Sequence, residues 1–318
     1  PAASDCGCLI PVGGGKDSAC TIEMLKKSGH PLYTYIINPR GATLSTVKVS
    51  GLSEDHSIHV KRTLDKNMLE LNRQGFLNGH TPFSALVAFS SVITARMYGL
   101  KYVALSNESS ANESTVAGST VNHQYSKSFE FEQDFHKYEK DWLGSGVYYF
   151  SMLRPLSEFQ IAKYFAGATA YHDIFRSCNA GSKQDIWCGH CPKCLFVFLI
   201  LSPFLSHKRL TEIFGTDMLE DAFMEDCFDK LTGLQSEKPF ECVGSRHEVN
   251  AAICLTIDQM EAAGEPLPLL KRYKELPLYE ANFAHRHDYD RYYDGEHLLP
   301  EEFLKILTEE CYGGVLPC

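Results

Sequence analysis

The stretch Leu9-Ile10-Pro11-Val12-Gly13-Gly14-Gly15-Lys16-Asp17-Ser18 sets the architecture of this chain. A short apolar run ends in three glycines, and helix-compatible residues follow from Ala19 to Lys27. The order is strand, tight turn, helix. Glycines let backbone N–H groups approach an anion with no Cβ in the way. The N-terminus of the following helix adds unpaired donors and partial positive charge. The segment is therefore expected to cradle phosphate with Gly13, Gly14, Gly15, Lys16, Asp17 and Ser18. It is not a Walker A loop, because no Gly-Lys-Ser/Thr follows at the required spacing.

Working outward, Ser28-Gly29-His30-Pro31 is a helix stop, and Leu32 to Ile37 is a run of β-formers closed by Asn38-Pro39. Strand, helix and strand make a βαβ unit, and such sheets bind ligands beyond their C-terminal strand ends. Asn38 is expected beside the nucleotide. The stretch 47–60 is expected to hold a third strand, and 63–73 an amphipathic helix. Thr81 is read as the N-cap of a long helix, Phe83 to Tyr98, ended by Gly99. Tyr102 to Leu105 is a buried-type strand. These elements predict an α/β fold with a doubly wound, mostly parallel sheet.

A polar segment, 106–114 and 121–132, follows that strand where such a sheet puts its ligands. Asn107, Glu108, Asn112, Glu113, His123 and Lys127 are candidates for one pocket. Glu108 or Glu113 could hold Mg²⁺ against phosphates. Lys127 could meet an anionic substrate group. Downstream, Val147 to Phe150 reads as an aromatic strand. Arg154 follows it as a candidate for pyrophosphate contact, and Ser157 with Gln160 forms a capping box for the next helix.

Cys178 and then Cys188-Gly189-His190-Cys191-Pro192-Lys193-Cys194 form the second chemical signature. Four thiolates in so short a span suit tetrahedral, structural Zn²⁺. An iron–sulfur cluster or free thiols are the alternatives. His190 lies between two cysteines and is expected to point away. Leu195 to Leu205 then reads as a buried helix, too short and interrupted by Pro203 to span a bilayer. The rest is helical and acidic. Its polar segment 238–247 is aimed back at the sheet and brings Cys242, Arg246 and His247. The expected organisation is 1–205 for the nucleotide domain with its metal loop, and 206–318 for a C-terminal helical subdomain.

With 318 residues and 44% hydrophobic content, the chain can bury a sizeable core. Its net charge of −10 and the lack of a basic run argue against a nucleic-acid partner. Twelve cysteines without a secretory signal suit a reducing compartment, so cytoplasmic location is expected. The chain opens only a few residues before its first strand, and an upstream domain is expected to be missing.

The glycine loop resembles the Ser-Gly-Gly-x-Asp-Ser signature of the PP-loop (N-type) ATP pyrophosphatases. Gly14, Gly15, Asp17 and Ser18 match, and Gly13 stands where Ser is usual. The resemblance implies ATP split into AMP and pyrophosphate, with a substrate activated as an adenylate. The cysteine cluster resembles the zinc site of 7-cyano-7-deazaguanine synthase, itself a PP-loop enzyme. Residues 78–82, 107–113, 121–128, 187–194 and 238–244 resemble a different family more closely. With the glycine loop they look like the UDP-N-acetylmuramoyl-L-alanyl-L-glutamate epimerases of bacterial cell-wall synthesis. That likeness implies an isomerase using ATP and Mg²⁺ to invert the terminal L-Glu of UDP-MurNAc-L-Ala-L-Glu. A PP-loop ligase or a tRNA-modifying adenylating enzyme is the alternative.

The implied chemistry is sound. A carboxylate resists loss of its α-proton because charge would accumulate on adjacent atoms, and adenylation removes that obstacle. Deprotonation then needs a base. Cys242 near His247 is one candidate, and Glu113, Glu108 and His123 are others. Arg246 or Lys127 could hold substrate carboxylates. Asp17 is assigned to both phosphate binding and catalysis.

Overall fold

In the computed structural model, the structure describes residues 6–77, 82–113, 121–239, 241–264 and 267–317. Five parallel strands form one sheet: β1 (Cys8–Pro11), β2 (Leu32–Ile37), β3 (Ser57–Val60), β4 (Tyr102–Leu105) and β5 (Tyr148–Ser151). Their spatial order is β3-β2-β1-β4-β5. Cys8 pairs with both Leu32 and Tyr102, so β1 is central. The chain winds outward from β1 to β3, then crosses to β4 and winds the other way. The reversal lies between β1 and β4, and the C-terminal ends there open the crevice in which such sheets bind ligands.

Strand alternation divides the core. Cys8 and Ile10 face a large apolar cluster, while Leu9 faces a smaller one. Helices α1 (Lys16–Leu25), α2 (Gly41–Ser50), α3 (Lys66–Arg73) and α4 (Phe83–Tyr98) precede β4. Helix α5 (Phe129–Tyr138) then lies between β4 and β5, and α6 (Glu158–Gly167) follows β5. Residues of α4 and α5 build the smaller cluster; α1 and α6 build the larger.

The larger cluster runs without a break into α7 (Pro192–Leu201), where Leu195 to Leu201 are all buried. Around α7 pack α8 (His207–Phe214), α9 (Glu225–Thr232) and α10 (Arg246–Ala263). Beyond these come α11 (Pro268–Lys274), α12 (Pro277–Phe283) and α13 (Glu301–Tyr312), the last returning to α1. Replacing Phe198, fully buried in α7, by Ala would cost about 3–5 kcal/mol.

The strands at 32–37 and 102–105 and the helix at 83–98 have the expected bounds. The stretch 47–60 holds the expected third strand, at its end. A helix occupies 41–50, and only 57–60 is strand. Although Thr43, Thr46 and Val47 are β-branched, they form one buried helical face with Ala42 and Ser50. Packing overrides the weak propensity. The expected cap Thr81 lies outside the described residues, as does 78–80 of the same motif, and the N-cap position of α4 falls instead on Pro82, which offers no side-chain cap. Ser157 does cap α6, with Gln160 closing the box.

Candidate functional site

The glycine loop joins β1 to α1 at the point where the strand order reverses. Gly14 has φ of +82°, and a Cβ there would meet Ala42 and Thr43 at 3.0 Å. Its glycine is therefore required by both conformation and space. At Gly13 nothing lies within 4 Å of a built Cβ. Gly15 is the N-cap of α1 and offers no side chain there, so the first-turn N–H groups are left for a ligand. The Ser18 hydroxyl bonds the Gly15 carbonyl at 3.0 Å.

Beside this loop lies a cavity of about 260 Å³ lined by Val12, Gly13, Tyr35, Asn38, Arg40 and Phe83. Asn38 sits at its edge with φ of +52°. Its side chain donates to the Arg62 carbonyl at 2.9 Å and accepts from the Arg62 N–H at 2.8 Å. This pair of hydrogen bonds holds a conformation that Asn tolerates better than most residues. A larger cavity of about 680 Å³, lined by Lys101, His136 and Tyr148, holds none of the candidate residues. It opens where β4 and β5 begin, at the opposite end of the sheet.

Lys16 is buried and donates to the carboxylates of Asp17 and Glu158. Burial opposes its charge, and those two carboxylates more than restore it. Asp17 keeps 32% of its side-chain surface open. Burial pushes its carboxyl up, but Lys16, Lys193 and Lys127 together hold it below its ordinary value. Asp17 is thus an ionised carboxylate with an open side, next to a cradle of backbone donors. That combination suits a divalent cation that accompanies phosphates. Glu158 is driven the other way, chiefly by burial. Its N–H donates to Glu248 at 2.6 Å, and Glu248 also accepts from the Ser245 N–H at 2.8 Å. Burial and the neighbouring Glu158 charge raise Glu248 to about 7.

The second group of residues gathers over the ends of β4 and β5. Lys127 donates to the Cys242 sulfur at 3.3 Å. Burial lowers the Lys127 pKa, but the Cys242 and Glu108 charges outweigh it, so the amine is held protonated. Lys193 donates to the Cys242 carbonyl. The partner of Cys242 is therefore Lys127 and not His247, which is exposed and lines a different cavity. Glu113 pairs with Lys238 at 3.2 Å. Asn107 donates to the Ser151 hydroxyl at 3.1 Å, and Asn112 accepts from the Phe129 N–H at 2.7 Å at the head of α5. His123 is half-buried in the same polar segment.

Two candidates have structural partners. Arg154 is fully buried; it donates to the carbonyls of Glu108 and Lys127 at 2.7 and 2.6 Å and to the Glu132 carboxylate at 3.1 Å. It thereby fastens the polar segment to the sheet. Arg246 donates to the carbonyls of Gln235 and Ser236 at 3.1 and 2.7 Å, beyond the end of α9. Sequence reasoning passed over Glu158, Glu248 and Lys193. Only Lys193 carried a signal, as the residue enclosed by Cys191 and Cys194.

Those cysteines form a compact thiol group. The sulfurs of Cys178, Cys188, Cys191 and Cys194 all lie within 4.8 Å of one another. The three closest pairs are 3.5, 3.7 and 3.8 Å apart. A tetrahedral metal with bonds of about 2.3 Å needs sulfurs about 3.8 Å apart, so the donor set fits one. His190 is exposed and turned onto the Cys188 carbonyl at 2.7 Å, as expected. Cys191 is the N-cap of α7 and Cys194 lies in its first turn, so an ion held here would fix the turn that carries Lys193.

Two family models match the chain: the MurL N-terminal domain over residues 2–152 and the MurL C-terminal domain over 174–278. Among curated proteins, a UDP-N-acetyl-alpha-D-muramoyl-L-alanyl-L-glutamate epimerase of Salinispora tropica is 38% identical over 257 residues, 79% of this chain and 56% of that protein. The protein of the same name from Xanthomonas oryzae pv. oryzae is 38% identical over 261 residues, covering 80% and 57%. That of Micromonospora sp. is 37% identical over 270 residues, covering 83% and 60%. The chain thus spans somewhat under two thirds of the length of these relatives. No helix among the described residues is long and apolar enough to cross a membrane.

Proposed function

The chain belongs to the MurL family, and from that premise we propose that it inverts the terminal L-Glu of UDP-MurNAc-L-Ala-L-Glu. In this proposal the glycine loop is a PP-loop and the cavity at Asn38 takes adenosine. Gly13 to Gly15 and the first turn of α1 face the phosphates. Asp17 holds Mg²⁺, with Lys16 as its internal counter-ion. ATP supplies the activation of the glutamate carboxylate as an acyl-adenylate, and the protein's work is to position the groups and stabilise charge.

Cys242 is the base we favour. The proton acceptor must be a thiolate, and the Lys127 ammonium, donating to the Cys242 sulfur at 3.3 Å, is placed to stabilise one. Glu108, Glu113 and His123 remain in the same segment as partners for substrate or for proton return. We assign Arg154 and Arg246 positioning roles rather than ligand contact, because their donors are committed within the protein. The four thiolates would hold structural zinc, which pins the start of α7 and so places Lys193. We retain 1–205 and 206–318 as the two units, and a cytoplasmic location suits this precursor chemistry.

The observation that carries this proposal is the convergence of the glycine loop and the Lys127–Cys242 pair on one end of the sheet. Incubation with ATP, Mg²⁺ and UDP-MurNAc-L-Ala-L-Glu in D₂O tests it. The expected result is AMP formation with deuterium entering the glutamate α-position. AMP formation without deuterium, dependent on ammonia or a sulfur donor, would instead support a PP-loop ligase or thiolating enzyme.

A further inference from the structure

A cavity of about 440 Å³ between α10, α12 and the segment 285–292 has no part in the chemistry above. His247, Asn282, His285, Asp288, Tyr289 and Tyr292 line it. From sequence, 284–294 reads as a solvated surface stretch. The side chains of His285 and Asp288 are indeed 70% and 61% exposed. The backbone, however, forms a strap. The Asp294 N–H donates to the Pro155 carbonyl at 2.9 Å, and the Tyr312 hydroxyl donates to the Tyr292 carbonyl at 2.5 Å. Tyr289 lies against Phe159 of α6, with ring centroids 6.3 Å apart. The strap is fastened to the same turn and helix that carry Glu158.

The cavity also borders the candidate site. The Tyr289 side chain lies near Ser245, which caps α10, and that of Tyr292 near Ser109, which follows β4. Both tyrosines feel the charges of Glu248 and Glu113. Glu113 in turn pairs with Lys238, four residues before Cys242 in the chain.

We propose that this cavity seats the uracil and ribose of the substrate's UDP group; the proposal rests on the reading that the substrate is a UDP-linked dipeptide. Such a molecule has its nucleoside at one end and the reacting glutamate at the other. The glutamate must reach Cys242 and Lys127, while the cavity at Asn38 is taken by adenosine. The nucleoside therefore needs a separate hollow at the same end of the sheet. The 680 Å³ cavity lies at the opposite end, and another of about 370 Å³, lined by Ser202, Leu205 and Gln259, lies at the far end of α7 from Lys193.

The lining suits the ligand. Tyrosine and histidine faces offer stacking area for a flat base. Uracil presents one N–H between two carbonyl oxygens, and Asp288 offers an acceptor while His247 and His285 offer donors. Asp288 accepts from or shares a proton with His285 Nδ1 at 2.9 Å, which fixes the ring's orientation. Tyr289 and Tyr292, with centroids 5.6 Å apart, are too close to admit a base between them. The base therefore rests on one outer face.

Photo-crosslinking with 4-thiouridine diphosphate tests the assignment without reference to turnover. The expected label falls within 278–292 and is competed by UDP but not by AMP. In parallel, Tyr289→Ala and Asn282→Ala are each expected to raise KM for UDP-MurNAc-L-Ala-L-Glu on the order of tenfold, with KM for ATP unchanged. A label confined to Tyr35 or Phe83, or unmoved KM values in both variants, would overturn the inference even where the chain epimerises. A label in 278–292 with no deuterium exchange would uphold the cavity while removing the epimerase proposal.

Discussion

The two halves of the candidate site are built in different ways. The glycine loop is one uninterrupted segment whose glycines, helix start and acidic residue act within a few positions of each other. The opposing half joins Lys127 to Cys242 across 115 residues of chain, and Lys193 reaches the same cysteine from a metal-type loop. The first half depends on local backbone conformation. The second exists only once α7 and α10 have packed against the sheet. Local and assembled chemistry should therefore fail separately, and variants can separate them.

Asp17→Asn should have the largest effect. It removes the ionised carboxylate beside the phosphate cradle, and activity in both halves should fall on the order of a thousandfold, read as AMP formation. Retained AMP formation would break the assignment of Asp17. Metal removal comes next. A chelator that strips the four thiolates should release one zinc per chain, lower the melting temperature by several degrees and weaken both activities together. Loss of zinc with unchanged melting and turnover would show that the cysteine loop does not brace α7.

Within the glycine loop, two neighbouring substitutions should diverge. Gly14→Ala must adopt φ near +82° and push on Ala42 and Thr43, so nucleotide affinity should fall at least about tenfold. Gly13→Ser enters open space and should change affinity by less than about threefold. Equal losses at both would contradict the geometry of the loop.

The smallest effect concerns Glu248, whose pKa is raised from 4.5 to about 7 by burial and by Glu158. The folded state then binds more protons than the unfolded chain between those values. Stability from this group is present at the acid end and is lost as pH rises through 7. The slope should approach about 1.4 kcal/mol per pH unit, and Glu248→Gln should flatten it in urea titrations at pH 5, 6, 7 and 8. An unchanged slope would remove Glu248 from the account.

What the sequence made legible follows the same division. The glycine loop, the strands at 32–37 and 102–105, the helix at 83–98 and the cysteine quartet all announce themselves by local pattern or spacing. The helix at 41–50 did not, because its β-branched residues are ordered by burial rather than propensity. Arg154 read as a ligand contact, yet it is buried among the carbonyls of Glu108 and Lys127; no local pattern reveals such partners. Cys242 was singled out, but with His247 as its neighbour. Lys127 replaces it because α10 turns His247 outward toward the strap. Glu158 was visible only as a residue after a helix cap, and its pairing with Lys16 spans 142 residues.

The most direct test of two separable halves is Cys242→Ser, assayed in D₂O for AMP formation and for deuterium at the glutamate α-carbon in one reaction. The account predicts that AMP formation stays within a few-fold of the unaltered chain while deuterium incorporation falls on the order of a thousandfold. Parallel loss of both, or deuterium incorporation at the unaltered rate, would contradict it.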